Sequence, residues 1–548
     1  MIMDAIASVL FLAVPLLPVL IVLIIPYARR ALALAPWVPA SAVLLLPLHG
    51  TTVDYPWLLL GARVGLDDTG LVLLILATIV WTAAGVHARH SIAHADQPRF
   101  YIFWLATWCG NLCVFLTQDA ASFYAAYAMM TFAAWGLVVH QQRAADFRAG
   151  RVYLVMALIG EALLITALLA IGARAGNIEL ANAGAIIAEL PERQWIVALL
   201  AAGFGVKMGL AGLHMWLPLA HPQAPVPASA VLSGVILKAG LAGWLLFLPL
   251  GAIGFTTAGH GLIAAGIVTA FYGVAVGLCQ DRAKTILAYS SLSQMGLVTV
   301  AVGIALAYPE TAAGFTTIAV LFAVHHGLAK GALFLGVDLT RASPRMARAL
   351  LWLPAASLAG LPLTSGALAK ATLKADLPTA LAPWLEPLLM LSSLATTLLL
   401  VRFLLRVWPD RGATAQGARP WPWFLLLSTS LVLPWLLAGA HDPAWIRQPW
   451  SPATLFAATL PVIIGVIIGM GAWRLRMAGP TLPEGDLVAL ARYWQWRPGL
   501  RAPRSPRISL PRNPLPALER RLTVFTVALL TWSAVLTGLT LLTIRGTG

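Results

Sequence analysis

Charge is scarce in this sequence. Only 10% of its 548 residues are Asp, Glu, Lys or Arg, while 60% are hydrophobic. An ordinary soluble domain carries about 25% charged residues, so the composition belongs to the membrane class. Cysteine is scarce too, with three positions, Cys109, Cys113 and Cys279. Cys109 and Cys113 lie four apart on one expected helix, but no third cysteine joins them in that apolar stretch. They read as buried packing rather than as metal or iron–sulfur ligands. No GxGxxG follows a strand and no GxxxxGK(S/T) occurs. The chain is therefore not expected to oxidise a nicotinamide or hydrolyse a nucleotide itself, and no cofactor or metal is expected.

What the sequence has in their place is hydrophobic runs. Spanning a bilayer takes about 20 mostly apolar residues. About 16 such stretches can be counted, centred near residues 17, 40, 76, 109, 131, 162, 205, 237, 268, 295, 325, 360, 395, 431, 464 and 533. They are numbered here as spans 1 to 16. The expected fold is an all-α polytopic membrane protein with about 14–16 transmembrane helices. A β-barrel is excluded because the runs are long and continuous rather than short and alternating. Residues 1–28 carry no Arg or Lys before Arg29 and Arg30. That polarity is opposite to a signal peptide, so span 1 is expected to be retained.

A net charge of +15 would suggest nucleic acid in a soluble protein. Here the arginines and lysines collect in alternate loops. Arg29 and Arg30, Arg143 with Arg148 and Arg151, Arg282 with Lys284, and Arg341 with Arg345 and Arg348 all follow odd-numbered spans. Ten arginines lie between Arg474 and Arg521, after span 15. By the positive-inside rule these loops face the cytoplasm of a bacterial inner membrane, both termini lie outside, and no nucleic-acid partner is implied. Residues 477–520 are also rich in proline, which excludes a regular helix throughout. That segment is expected to lie along the cytoplasmic face, against anionic lipid, a partner subunit or solvent.

Lysine is used differently from arginine. There are six lysines against thirty arginines, and all six fall between Lys207 and Lys374. Lys207, Lys238, Lys330 and Lys370 are expected inside spans. Insertion of a charged side chain at a span centre costs roughly 2.5–3.5 kcal/mol, so four of them call for partners, water or function. Arginine keeps its proton in a protein, whereas a desolvated lysine can release it. Other titratable groups share these runs. Glu161 stands in LVMALIGEALLITAL of span 6, His214 and His221 follow Lys207, and His325 and His326 precede Lys330. His326 lies one helical turn from Lys330 on the same face. Histidine titrates near physiological pH, which suits a proton relay. Pro218 and Pro222 in span 7 and Pro362 in span 12 are expected to break those helices. Five spans separate the two breaks, which suggests repeats of opposite topology.

Four ordered stretches are familiar. They are KMGLAGLHMWLPLAHPQAPVPASAVLSGVILKAGLAGW (207–244), DRAKTILAYSSLSQMG (281–296), HHGLAKGALFLG (325–336) and LAGLPLTSGALAKATL (358–373). Together they resemble the complex I/Mrp antiporter family, which includes proton-pumping subunits of NADH:quinone oxidoreductase, hydrogenase-4 component B and multisubunit sodium/proton antiporter subunits. The likeness covers about residues 100–410. It implies a non-catalytic, proton-translocating subunit of an oxidoreductase complex, with other membrane subunits as partners. It also implies two inverted five-helix units, spans 4–8 and 9–13, with broken helices at spans 7 and 12. The expected organisation is 1–95 for the N-terminal helices, 96–250 and 251–410 for the two units, and 411–476 for further helices. The Pro/Arg-rich segment 477–520 and a last span within 521–548 complete it. Carried over by motif, Lys207 matches the broken-helix lysine and Lys238 the bridging lysine. His325, His326 and Lys330 match the central group, and Lys370 the terminal lysine. Glu161 and His214 complete the expected relay.

The sequence departs from the family at one point. The family places a glutamate on span 5, but FYAAYAMMTFAAW (123–135) holds Ala128 there. Glu161, one span later, stands where it can replace that carboxylate. Two other readings stay open: a docking subunit whose conduction is degenerate, and a sodium/proton antiporter subunit.

Overall fold

The structure is a computed structural model, and it describes residues 2–28, 30–59, 61–408, 419–476, 481–485 and 488–489. Span 16 and most of the 477–520 segment lie outside the described residues. Among the described residues, 12 helices are long and apolar enough to cross a membrane. They account for spans 1–3, 5, 6, 8–11 and 13–15. Span 4 is the 18-residue helix Gln97–Val114. Spans 7 and 12 are each split into two short helices, which is why neither counts as one long helix. The protein is thus an all-α polytopic membrane protein. One small antiparallel hairpin, β1 (Thr52–Tyr55) with β2 (Ala62–Gly65), joins spans 2 and 3 and pairs Val53 with Val64.

Span 2 shows how proline shapes a crossing helix. Ala35–Leu48 winds as a 3-10 helix of 14 residues around Pro36, Pro39 and Pro47. At about 2.0 Å rise per residue it reaches about 28 Å, close to the hydrocarbon thickness of about 30 Å. An α-helix of the same length would fall short.

Spans 10 (Ala283–Ala307) and 11 (Ala312–Ala342) form the centre; the most apolar window of each is completely buried. Span 15 (Pro452–Arg474) lies at the periphery, and its Phe456, Ile463 and Ile467 are exposed on the outside. Span 9 (Thr256–Leu278) packs along span 10 through glycines. A Cβ at Gly266 would sit 2.6 Å from the Gly296 carbonyl, and one at Gly296 would sit 2.5 Å from the Gly266 carbonyl. Lipid tails are as apolar as Leu, so helices associate in a bilayer by close contact, which small residues permit.

The two breaks have the same construction. The first half of span 7, Arg193–Met208, ends at Gly209 with φ +78°. Gly209 N–H donates to the Val206 carbonyl and Leu210 N–H to the Gly205 carbonyl. The first half of span 12, Trp352–Ala359, ends at Gly360 with φ +93°; Gly360 donates to Ser357 and Leu361 to Ala356. Both are Schellman caps, and a glycine there adopts the left-handed conformation without a Cβ penalty. Span 7 therefore breaks earlier than its prolines suggest. The gap is 209–215, and Pro218 and Pro222 lie inside the second half, Trp216–Gln223. Proline is tolerated in the first turn of a helix, which is where Pro218 falls. In span 12 the gap does contain Pro362, before the second half begins at Ser365.

Candidate functional site

Buried polar side chains collect in the packed centre, and each of the four span lysines among them is held by an identifiable partner. Lys207 is 6% exposed, near the end of the first half of span 7. Its Nζ donates to Thr131 Oγ1 at 2.7 Å and lies 5.1 Å from the centre of the Tyr127 ring, both on span 5 (Ala120–Val138). Glu161, on span 6 (Ala144–Ala175), is equally buried, with Lys207, Thr131 and Tyr124 among the polar groups around its carboxylate. Glu161 and Lys207 line one cavity with Tyr127, Thr131, Tyr153 and Trp216. Its space for the centres of water molecules is about 10 Å³, room for about one water. One water in a cavity of that size is enough to bridge the carboxylate and the ammonium. Ala128, at the position where the resemblance implies a glutamate, is one turn before Thr131 on span 5. The groups that meet Lys207 are thus the Thr131 hydroxyl and, through the cavity, Glu161.

Span 8 (Val226–Phe247) contains the next lysine. Its middle, Leu232–Ile236, is wound as a π-helix, and such turns loosen the regular carbonyl ladder. Lys238 Nζ donates to the Ser233 carbonyl in that turn at 2.8 Å, and it lies 2.7 Å from His326 Nδ1 on span 11. With Lys238 charged, His326 accepts at Nδ1 and carries its own proton on Nε2. Lys330, one turn on from His326, donates to the Leu287 carbonyl of span 10 at 2.9 Å.

His325 turns to the other side. Its Nδ1 lies 2.9 Å from Ser365 Oγ, at the start of the second half of span 12. Ser365 donates its hydroxyl proton to the Ser430 carbonyl at 2.6 Å, since a carbonyl can only accept. The serine oxygen then accepts from His325 Nδ1–H, so the two adjacent histidines hold opposite tautomers. Lys370 follows on the same half-helix, and its Nζ donates to the Ala359 carbonyl at 2.8 Å. That carbonyl closes the first half of span 12, where the helix dipole favours a cation.

The structure thus brings Glu161 together with Lys207, Lys238 with His326, and His325 with the half-helix that contains Lys370. His214 has neighbours of another kind. It lies in the break of span 7, receives the Gly212 N–H, and packs on Tyr272 and Tyr289. His221 is fully buried and stacked on Phe334 at 4.8 Å. Lys284, counted with a loop in the sequence, is the second residue of span 10 and caps the Ala224 carbonyl after span 7. Sequence reasoning missed Thr131 and Ser365. It also missed the carbonyls of Ser233, Leu287 and Ala359, which carry no side-chain signal.

A family model described as NADH:quinone oxidoreductase/Mrp antiporter, TM, matches residues 117–396, from span 5 through the first part of span 13. The chain belongs to this family. Among curated relatives, hydrogenase-4 component B of Escherichia coli (strain K12) is 31% identical over 244 residues, covering 43% of this chain and 36% of that protein. NAD(P)H-quinone oxidoreductase chain 4 2 of Thermosynechococcus vestitus is 31% identical over 264 residues, covering 45% of this chain and 47% of that one. The chain therefore spans less than half the length of these two relatives. A chain of the Mrp complex from Dietzia sp. DQ12-45-1b superposes with a TM-score of 0.70 at 21% identity, covering 97% of this chain and 63% of that one. At that identity the likeness bears on the fold alone.

Proposed function

We propose that this protein carries protons across the membrane as an antiporter-like subunit of a multisubunit complex. Its proton path runs through Glu161, Lys207, Lys238, His326, Lys330, His325 and Lys370, with His214 at the side of the first break. The observation that carries the reading is the 2.7 Å contact between Lys238 Nζ and His326 Nδ1. It joins the two expected inverted units, 96–250 and 251–410, by a pair of groups that exchange a proton without moving a heavy atom. In one state Lys238 is the ammonium and donates to Nδ1. In the other, His326 is the imidazolium and donates to a neutral amine.

Family membership supports the same reading. Loading at Lys207 depends on the neighbouring Glu161 carboxylate, and the change in charge passes through Lys238 and the His–Lys group toward Lys370. The redox or ion-driven reaction that powers it belongs to other membrane subunits. A docking role is favoured by one observation, Ala128 in place of the span 5 glutamate. Proton uptake into inverted vesicles carrying the intact complex separates the two, comparing wild type with Lys207→Met and Glu161→Gln. Loss of the pH gradient in both variants, with the chain still assembled, supports conduction. Unchanged uptake in both sinks it and leaves docking.

A further inference from the structure

Lys370 and Lys374 lie one helical turn apart on the second half of span 12, Ser365–Ala375, and so share a face with about 5–6 Å between their Cβ atoms. Both line a second cavity, together with Gly360, Met390, Ser393 and Thr454. Its space for water centres is again about 10 Å³, room for about one water. Span 13 (Ala382–Arg406) supplies Met390 and Ser393, and the peripheral span 15 supplies Thr454. Lys370 is 8% exposed, whereas Lys374 is half-buried.

The charges around this cavity are one-sided. The titratable groups that act on Lys374 are Lys370 on its own helix and Glu386 on span 13. Span 15 contributes only Thr454 and alanines to the lining. Two ammonium groups around one small cavity repel when both are charged, so the pair favours holding one proton fewer than two. Beyond Lys374 the helix ends at Ala375 and the connection 376–381 holds Asp376 but no Arg or Lys. That end is opposite to the arginine-rich loops.

Resting on the proposed conduction, we propose that Lys374 takes the proton from Lys370 and releases it to water at the end of span 12. An N–H bond breaks at Lys370 Nζ and one forms at Lys374 Nζ, through a water in the cavity between them. The same exchange at Lys374 then returns the proton to solvent near Glu386 and Asp376. The arrangement places two lysines around the second cavity, where the first cavity pairs a lysine with a carboxylate.

The test is proton uptake in vesicles carrying the intact complex, with the amount of assembled chain measured alongside. Lys374→Met is expected to slow uptake at least tenfold. Lys374→Arg is expected to slow it equally, because arginine keeps its proton. Lys374→His is expected to retain uptake with a pH profile displaced into the imidazole range. Lys207→Met serves as the reference for conduction itself. If Lys374→Met and Lys374→Arg keep the wild-type rate while Lys207→Met loses it, conduction stands and the role of Lys374 is overturned. A wild-type rate in Lys374→Arg alone would show that only a fixed positive charge is needed, which also overturns the proposal. If Lys207→Met and Lys374→Met both leave uptake unchanged, both readings fall.

Discussion

Lys238 Nζ lies 2.7 Å from His326 Nδ1 and 2.8 Å from the Ser233 carbonyl, with both side chains fully buried. A charged group in so dry a place is held by its hydrogen bonds, and removing one partner leaves the other unsatisfied. Lys238→Met is expected to reduce proton uptake by the intact complex at least tenfold. His326→Ala should do the same, and the double variant should be no worse than either single one. Multiplying defects, read from the same vesicle assay, would mean the two residues act on separate paths.

Thr131 and Glu161 meet Lys207 in different ways, and their variants should separate. The Thr131 hydroxyl holds Nζ directly at 2.7 Å, while Glu161 shares a water-sized cavity with it. A hydrogen bond to a charged group is worth about 1.5–3 kcal/mol. Thr131→Val should lower thermal stability by an amount in that range, measured on the chain in detergent, while uptake falls less than about threefold, under 1 kcal/mol by the same scale. Glu161→Gln should have the reverse profile, with near-normal stability and at least a tenfold loss of uptake. Equal behaviour of the two would remove Glu161 from its special role.

Much of this was legible in the sequence for a physical reason. A bilayer admits few backbone solutions, so apolar length alone marks the crossings, and the twelve long helices fall where the hydrophobic runs do. Charge inside those runs is costly enough that Lys207, Lys238, Lys330 and Lys370 stood out without a structure. In span 7 proline is the louder sequence signal, whereas Gly209 sets the break through its left-handed cap. The π turn at Leu232–Ile236 has no signal in residue type. The division of labour between His325 and His326 was equally hidden. Adjacent residues on a helix point about 100° apart, but which neighbour each meets depends on spans 8 and 12.

The seam between spans 9 and 10 makes a prediction that does not depend on function. Gly266 and Gly296 face each other's carbonyls at 2.6 Å and 2.5 Å from any added Cβ, whereas Gly261 on span 9 faces open space. Gly296→Ala should push the two backbones apart and cost about 1–3 kcal/mol, as overpacking does in well-packed cores. Gly261→Ala should be neutral or slightly stabilising, because it only improves helix propensity. Thermal melting of the two variants side by side checks this. Equal melting temperatures would show that the seam relaxes at no cost.

His140 gives the protein a pH dependence outside the spans. It sits in the connection between spans 5 and 6, 4% exposed, with its ring edge-on to Phe100 at 5.4 Å. Burial, and then the nearby Arg99 cation, disfavour the imidazolium and push its pKa down from 6.5 to about 4. The unfolded chain therefore binds a proton at this site between about pH 6.5 and 4 that the folded chain does not. Stability from His140 is fully present above the unfolded value and drains away as pH falls through that window. At about 1.36 kcal/mol per pKa unit the loss is roughly 3 kcal/mol at most. His140→Phe keeps the aromatic contact and removes the titration, so its melting temperature should fall less than that of wild type between pH 7 and 5. Parallel curves for the two proteins would show that acid destabilisation arises elsewhere in the chain.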